Sequence, residues 1–315
     1  LCRQWSAMTF AYFGENIGMT KEERIMPVSG NVYSSVGHMP TAEQPNAVPL
    51  GNGEYNVGLR AYMSSRIGRD SETNRDNYYM NGLCAKNFKF SDMDRPYLSE
   101  LGSCGIFAVS RGIVSDRASK LVMRVIDERR EWLAASKSEY RMKSRLSELV
   151  RECGRVLISE GQEDGADYEA SLAIAVYFRD TLFYAVCGDA GAVKLGSGGV
   201  TRLRSKCGNL GRNMAVRPYV GRCAVTPDDR LVLLTKGAQE AAGPEELCCR
   251  VSCTSEPDEI AKDIMERVYY SGTDDATCMA VAAEPAGGIH TKTMVIAMLC
   301  LLWTLINVLI LILNW

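Results

Sequence analysis

The chain has 315 residues, 46% hydrophobic and 23% charged, which is enough for one large domain with appended segments or for two domains. This composition excludes a disordered chain. With 36 basic and 38 acidic residues, the chain lacks the excess of basic residues that is typical of nucleic-acid-binding proteins. Only two histidines are present, His38 and His290, which excludes a Ser-His-Asp or Cys-His catalytic unit in mid-chain and a His-rich zinc site.

The first part of the chain changes character near Tyr55. Residues 1–54 contain four prolines and show weak periodicity, so we expect an N-terminal extension that is partly irregular. From there, apolar residues alternate at positions 57, 59, 61 and 63, which predicts a half-buried strand. Asn77–Met80 and Gly105–Ser110 are short apolar runs and predict two further strands.

Two helices and a β-rich stretch are predicted next. The first helix is capped by Ser115 or Asp116, and its apolar face reaches Leu133. The second runs from about Lys137 to Ser159 and is followed by a predicted turn at 161–167. Beyond the turn we expect a three-stranded meander, a strand, a helix and a final strand: Leu172–Phe178, Leu182–Val186, Ala192–Leu195, Asp229–Leu234, Glu256–Tyr269 and Thr277–Ala282. This order predicts an α+β sandwich rather than a βαβ series.

The C-terminal end has the pattern of a membrane segment. Residues 294–313 carry no charge over 20 positions, enough at about 1.5 Å per residue to span a hydrocarbon core of about 30 Å. Residues 284–293 are expected to be a short linker containing Gly and Pro. Lys292 lies before the predicted span and no basic residue follows it, which predicts a single-pass anchor with the large domain on the cytoplasmic side.

The twelve cysteines are irregularly spaced and contain no CxxC pair. We expect them to be unpaired thiols that act as small apolar side chains in a reducing compartment.

Five short segments, taken together, resemble one family in order and spacing. They are Thr73–Asn77 (TNRDN), Phe107–Gly112 (FAVSRG), Val186–Ala190 (VCGDA), Pro227–Gly237 (PDDRLVLLTKG) and Gly272–Thr277 (GTDDAT). They resemble the N-E-D-N, F-A-V-x-D-G, V-G-D-S, P-x-D-x-L-L-L-x-S-D-G and G-x-x-D-N-I-T elements of the metal-dependent Ser/Thr protein phosphatases, the PPM or type 2C class. The resemblance covers residues 55–283. It implies a β-sandwich of two antiparallel sheets flanked by helices, followed here by the predicted transmembrane helix.

The family's reaction needs acidic side chains, because two divalent cations must be held close together and a water between them must lose a proton. This chain departs from the pattern at those acids. The glutamate of the first element is Arg75, the aspartate of the second is Arg111 and the aspartate of the fourth is Lys236. Four positions match the pattern: Asp76, Gly112, Asp189 and Asp274.

The resemblance and its departures together imply a catalytically inactive, membrane-anchored pseudophosphatase that acts as a binding or regulatory module in phospho-signalling. No metal cofactor is expected, and the expected partner is a signalling protein such as a kinase or a phosphoprotein.

Two alternatives stay open. In the first, the chain is a divergent active Ser/Thr phosphatase that uses Mg²⁺ or Mn²⁺ at Asp76, Asp189, Glu240 and Asp274. In the second, it senses phosphate or another anion through Arg75, Arg111 and Lys236.

Overall fold

The computed structural model describes residues 57–84, 93–102, 104–196, 199–203, 207–212, 218–226, 228–243, 256–272, 274–284, 298–303 and 306. Their strands are β1 Val57–Arg66, β2 Asp76–Met80, β3 Leu83–Cys84, β4 Met93–Gly102, β5 Cys104–Gly112, β6 Ala170–Phe178, β7 Thr181–Cys187, β8 Gly191–Gly196, β9 Gly199–Arg202, β10 Val220–Ala224, β11 Arg230–Leu234 and β12 Ala276–Glu284. The main helices are α1 Asp116–Glu128, α2 Arg130–Ala134, α3 Glu139–Asp164, α4 Lys236–Ala242 and α5 Pro257–Ser271.

The strands form two antiparallel sheets of six strands each. The first sheet has the order β4-β1-β12-β11-β8-β9, and the second has the order β10-β7-β6-β5-β2-β3. Met63, Phe107, Ala175, Leu233 and Met279 are buried between the sheets in one apolar cluster. Because each sheet also needs cover on its other face, helices lie outside both. The predicted sandwich of antiparallel sheets flanked by helices is confirmed.

Helices cover the outer face of each sheet. The apolar sides of α1 and α3 pack on the second sheet, through residues such as Val122, Ile126, Leu146 and Leu149. The apolar sides of α4 and α5 pack on the first sheet in a separate cluster. Ser115, one of the two predicted caps of the first helix, does cap α1, because its hydroxyl accepts a hydrogen bond from an amide in the first turn.

Three predictions about individual elements were wrong. The predicted meander is not one, because β6 and β7 pair with each other while β8 pairs with β11 and β9 in the other sheet. In β8, Ala192 is buried between the two sheets and Val193 is buried under the helices outside the first sheet. The strand therefore needs cover on both of its faces, which a position inside the first sheet provides. The first predicted helix breaks at Arg129, whose ψ of 2° is not helical, so Leu133 belongs to α2. The second continues to Asp164, where Gly165 at a φ of 65° ends it.

The C-terminal prediction falls mostly outside the described ranges. Of the predicted span 294–313, only residues 298–303 and 306 are described, and they are helical. Within the described part of the chain, no helix is long and apolar enough to cross a membrane. The predicted extension 1–54 and nearly all of the linker 284–293 also lie outside the described residues.

Candidate functional site

The candidate site lies where ends of strands from both sheets meet. In the second sheet, Asp76 begins β2 and is the cross-strand partner of Arg111 near the end of β5. In the first sheet, Asp274 and Asp275 immediately precede β12, and Thr235 follows β11. Four of the five resembling segments, which are far apart in the sequence, are therefore brought together by strand pairing within each sheet and by side-chain contacts between the two sheets.

Arg111 lies inside this cluster, and its residue is only 5% exposed. Its Nη1 donates a hydrogen bond to the main-chain oxygen of Asp275 at 3.0 Å and lies 3.9 Å from Oδ1 of Asp76. Its Nη2 donates to Oδ1 of Asp274. Burial disfavours the charged guanidinium, but the attraction of Asp76, Asp274 and Asp275 outweighs it and holds the pKa of Arg111 above its usual value. The guanidinium is thus held as a buried cation among three acids.

Arg75 enters the cluster from the loop before β2, and each of its three guanidinium nitrogens donates a hydrogen bond. Its Nη2 donates to Oδ1 of Asp274 at 3.1 Å, and its Nη1 donates to the main-chain oxygen of Ile113 at 3.1 Å. Its Nε donates to Oδ2 of Asp275 at 3.3 Å. One carboxylate oxygen of Asp274 therefore accepts from both arginines, one on the loop before β2 and the other on β5.

The two neighbouring aspartates have different roles. Asp275 is fully buried, and its carboxylate accepts from the amides of Gly68 at 2.8 Å and Arg75 at 2.9 Å, which anchors the loop between β1 and β2. Asp274 is partly exposed. Burial alone would raise the pKa of Asp274, but the hydrogen bond and charge of Arg111, with the charge of Arg75, lower it. Asp274 is therefore an ionised bridge between the arginines.

Asp76 is fully buried and held by hydroxyl groups. Its Oδ2 accepts from Oγ1 of Thr235 at 2.5 Å, and the same Oγ1 accepts from the amide of Thr277 at 2.8 Å. Among the described residues, its Oδ1 has no hydrogen-bond partner. Burial raises the pKa of Asp76 to about 7, because it outweighs the hydrogen bond from Thr235 and the attraction of Arg111. This carboxyl group therefore titrates near neutral pH.

Lys236 does not join the cluster of acids. It is the first residue of α4, and its Nζ lies 3.7 Å from Oε1 of Glu240, one turn further along the same helix. The Lys236 side chain is 41% exposed and that of Glu240 is 61% exposed. The predicted single-metal set needs Glu240 beside Asp76, but the structure leaves Glu240 at the surface while Asp76 is buried.

Two further positions lie at or just beyond the ends of strands. Asp189 follows Gly188, whose φ of 69° favours glycine, and Oδ1 of Asp189 is buried without a hydrogen-bond partner in the described residues. Gly112 is a close-contact position, since a Cβ there would lie 1.9 Å from the main-chain oxygen of Ser115. Its amide donates to the main-chain oxygen of Arg75 at 2.9 Å, which holds that loop to the end of β5.

The role of Asp275 was not predicted from the sequence. The segment is one residue shorter than the G-x-x-D-N-I-T element, so counting from Gly272 places the aspartate at Asp275 and counting back from Thr277 places it at Asp274. Thr235 lies within the fourth resembling segment, but its hydrogen bond to Asp76 was not predicted. Within the described ranges, no group of three or more His, Cys, Asp or Glu side chains could hold a metal ion.

Comparisons by sequence and by structure give different results. No protein-family model matches the chain, and no curated protein matches it in sequence. Solved structures do match. The Mycobacterium tuberculosis serine/threonine phosphatase PstP/Ppp is 16% identical with a TM-score of 0.57, over 72% of this chain and 99% of that one. A bacterial serine phosphatase is 14% identical with a TM-score of 0.58, over 71% and 96%. The chain has the fold of PPM-type Ser/Thr phosphatases.

Other structures with this fold widen the comparison. The catalytic domain of PstP has been solved in complex with two manganese ions, and it matches 72% of this chain at 16% identity and a TM-score of 0.57. PppA of Pseudomonas aeruginosa, described as a key regulatory component of the T6SS, matches 71% of this chain and 97% of its own at 16% identity and a TM-score of 0.56. At such identities the likeness shows the phosphatase-like fold alone.

Proposed function

We propose that this chain is a pseudophosphatase: a phosphatase-like domain that binds or regulates a signalling protein, such as a kinase or a phosphoprotein, without hydrolysing phosphate esters. We further propose that residues 294–313 anchor it in a membrane, with the domain on the cytoplasmic side. The observation that carries the loss of activity is the pair of guanidinium groups, Arg75 and Arg111, bound to Asp274 at the meeting point of the strands.

The contacts of the arginines support this proposal because they use the oxygens that a metal would need. Divalent cations such as Mg²⁺ bind through several oxygen ligands whose lone pairs are open. Here Oδ1 of Asp274 accepts from both arginines, and Oδ2 of Asp275 accepts from Arg75. Among the described residues, Oδ1 of Asp76 is a buried acceptor without a hydrogen-bond partner, and Nη1 of Arg111 lies 3.9 Å from it. These residues do not fit a pair of divalent cations.

The charges lead to the same conclusion. Replacing an acid by a base adds two positive charges, so the exchanges at Arg75 and Arg111 together add the charge that two divalent cations would bring. The arginines can therefore neutralise the remaining acids without metal. A cation that approached either guanidinium to about 4 Å would be repelled by about 4 kcal/mol per unit charge at an effective dielectric of about 20. Lys236 is not needed for this balance, since it pairs with Glu240.

The test is a calorimetric titration of Mn²⁺ into the purified full chain, with the double variant Arg75→Glu/Arg111→Asp as the matched comparison. We expect no binding by the natural chain up to millimolar Mn²⁺ while circular dichroism shows it folded. We expect the variant to bind, because it regains the two acids of the resembled pattern. Binding by the natural chain that Asp274→Ala weakens would refute the pseudophosphatase. If neither chain binds, the arginines are not the reason for the loss of metal.

A further inference from the structure

Two cysteines lie side by side near the candidate site, and neither has a role in the proposed function. Cys187 is the last residue of β7 and Cys207 begins the described segment 207–212. They are partners in a parallel β-bridge, and the amide of Gly188 donates to the main-chain oxygen of Cys207 at 3.0 Å. Both are thiols in the structure.

The bridge gives these cysteines the geometry of a disulfide. Paired residues on adjacent strands have Cα atoms roughly 5 Å apart, within the range of about 4.4–6.8 Å that disulfides require. Both side chains contact the same apolar cluster, under α1 and α3, so they lie on the same face of the sheet. The two thiols are also hydrogen-bond partners.

The two thiols differ in access, which gives them different chemical roles. Cys187 is fully buried, whereas Cys207 is partly exposed. The hydrogen bond between the two thiols lowers the pKa of Cys207, while the same bond and burial raise the pKa of Cys187. An oxidant in solution therefore meets Cys207 first, and Cys187 is in position to resolve the product.

We propose that Cys187 and Cys207 form a reversible disulfide when the protein meets a peroxide. The thiolate of Cys207 attacks one oxygen of hydrogen peroxide, the O–O bond breaks, and the departing hydroxide takes up a proton as water. The sulfur of Cys187 then attacks the sulfenic acid on Cys207, the S–O bond breaks, and the departing hydroxide takes the Cys187 proton as a second water. Two thiols lose two electrons and two protons in all, and one peroxide becomes two waters.

The bond would clamp one short segment against the candidate site. Residues 207–212 flank the second sheet through the bridge at Cys207 and a second bridge, in which Leu210 exchanges two main-chain hydrogen bonds with Ala170. The side-chain oxygen of Asn209 lies 2.1 Å from where a Cβ of Gly188 would be, so it contacts the turn that carries Asp189. A disulfide closing a loop of about 20 residues would hold this contact for as long as the bond is oxidised, and it would reduce the number of conformations open to the unfolded chain.

The experiment uses the full chain treated with hydrogen peroxide, followed by alkylation, digestion and mass spectrometry, with a dithiothreitol-treated sample as reference. We expect a peptide pair linked through Cys187 and Cys207, the loss of two hydrogen atoms in mass, and recovery of both thiols on reduction. We also expect a higher thermal midpoint and slower amide exchange at 207–212 in the oxidised form.

Variants keep the proposal open to refutation. Cys207→Ser changes the partly exposed partner, so it should fold normally, and it should form no linked peptide and show no midpoint shift with peroxide. Cys153→Ser is the matched control, since Cys153 is a buried thiol of the same apolar cluster, and it should leave the link intact. A link from Cys187 or Cys207 to Cys153, or a Cys207 oxidised only to sulfinic acid, would overturn the proposal.

Discussion

Removing the guanidinium of Arg111 tests the buried ion cluster directly. The Arg111 side chain is 6% exposed and that of Asp76 is 0% exposed, so Arg111→Ala leaves a buried carboxylate without its cation. It also removes the donor to Asp274 and to the main-chain oxygen of Asp275. Removing one partner of a buried pair destabilises a protein by about 3–5 kcal/mol. A domain stable by about 5–15 kcal/mol would lose a large part of that stability.

The assay is urea unfolding of the full chain followed by circular dichroism at pH 8. The matched control is Arg155→Ala on α3, where a 58% exposed arginine pairs with Glu148 and the expected loss is below about 1 kcal/mol. In the Arg111→Ala background, Asp76→Asn should restore part of the stability, because the unpaired buried charge is then gone. A loss for Arg111→Ala no larger than that for Arg155→Ala would refute the view that the cluster carries stability.

Two further predictions concern single residues of the site. The pKa of Asp76 is raised to about 7 from 3.8, so its contribution to stability is fully present below pH 3.8 and is lost as the pH rises through 7. The free energy of unfolding of Asp76→Asn, measured by urea titration, should therefore rise relative to that of the natural chain as the pH increases from 5 to 8. Parallel pH profiles for the two proteins would contradict this. Gly112→Ala should destabilise by about 1–3 kcal/mol, because its Cβ would lie 1.9 Å from the oxygen of Ser115. Gly208→Ala, which meets nothing within 4 Å, should change the thermal midpoint little, and equal shifts for the two variants would disprove the steric argument.

Much of the local structure could be predicted because its signals are local. Alternation at residues 57–63 and the short apolar runs identified β1, β2 and β5. Ser115, as a capping residue before an apolar face, identified the start of α1. Strands such as β4, β9 and β10 were missed. All three are edge strands, which need fewer apolar residues, and Gly199–Arg202, for example, is mostly exposed.

Residue type alone could not predict which side chains of the site pair with each other, because pairing depends on where the fold points each side chain. Lys236 lies at a position where the resembled pattern has an aspartate, and it begins a helix whose next turn carries Glu240, so the two pair at the surface. Asp275 and Asp274 are adjacent and chemically identical, and only the position of β12 decides which one is buried under Gly68 and which one meets Arg111.

The sequence by itself determined most of the strands, the long helices and the occurrence of Arg75 and Arg111 within the resembling segments, because these depend on residue type and short spacing. The tertiary structure decided that β8 crosses to the other sheet and that Arg111 reaches Asp274, 163 residues away in the chain. It also brought Cys187 beside Cys207. Such contacts depend on which strands pair across long separations, and that choice is made by burial on both faces of each sheet rather than by any local run of residues.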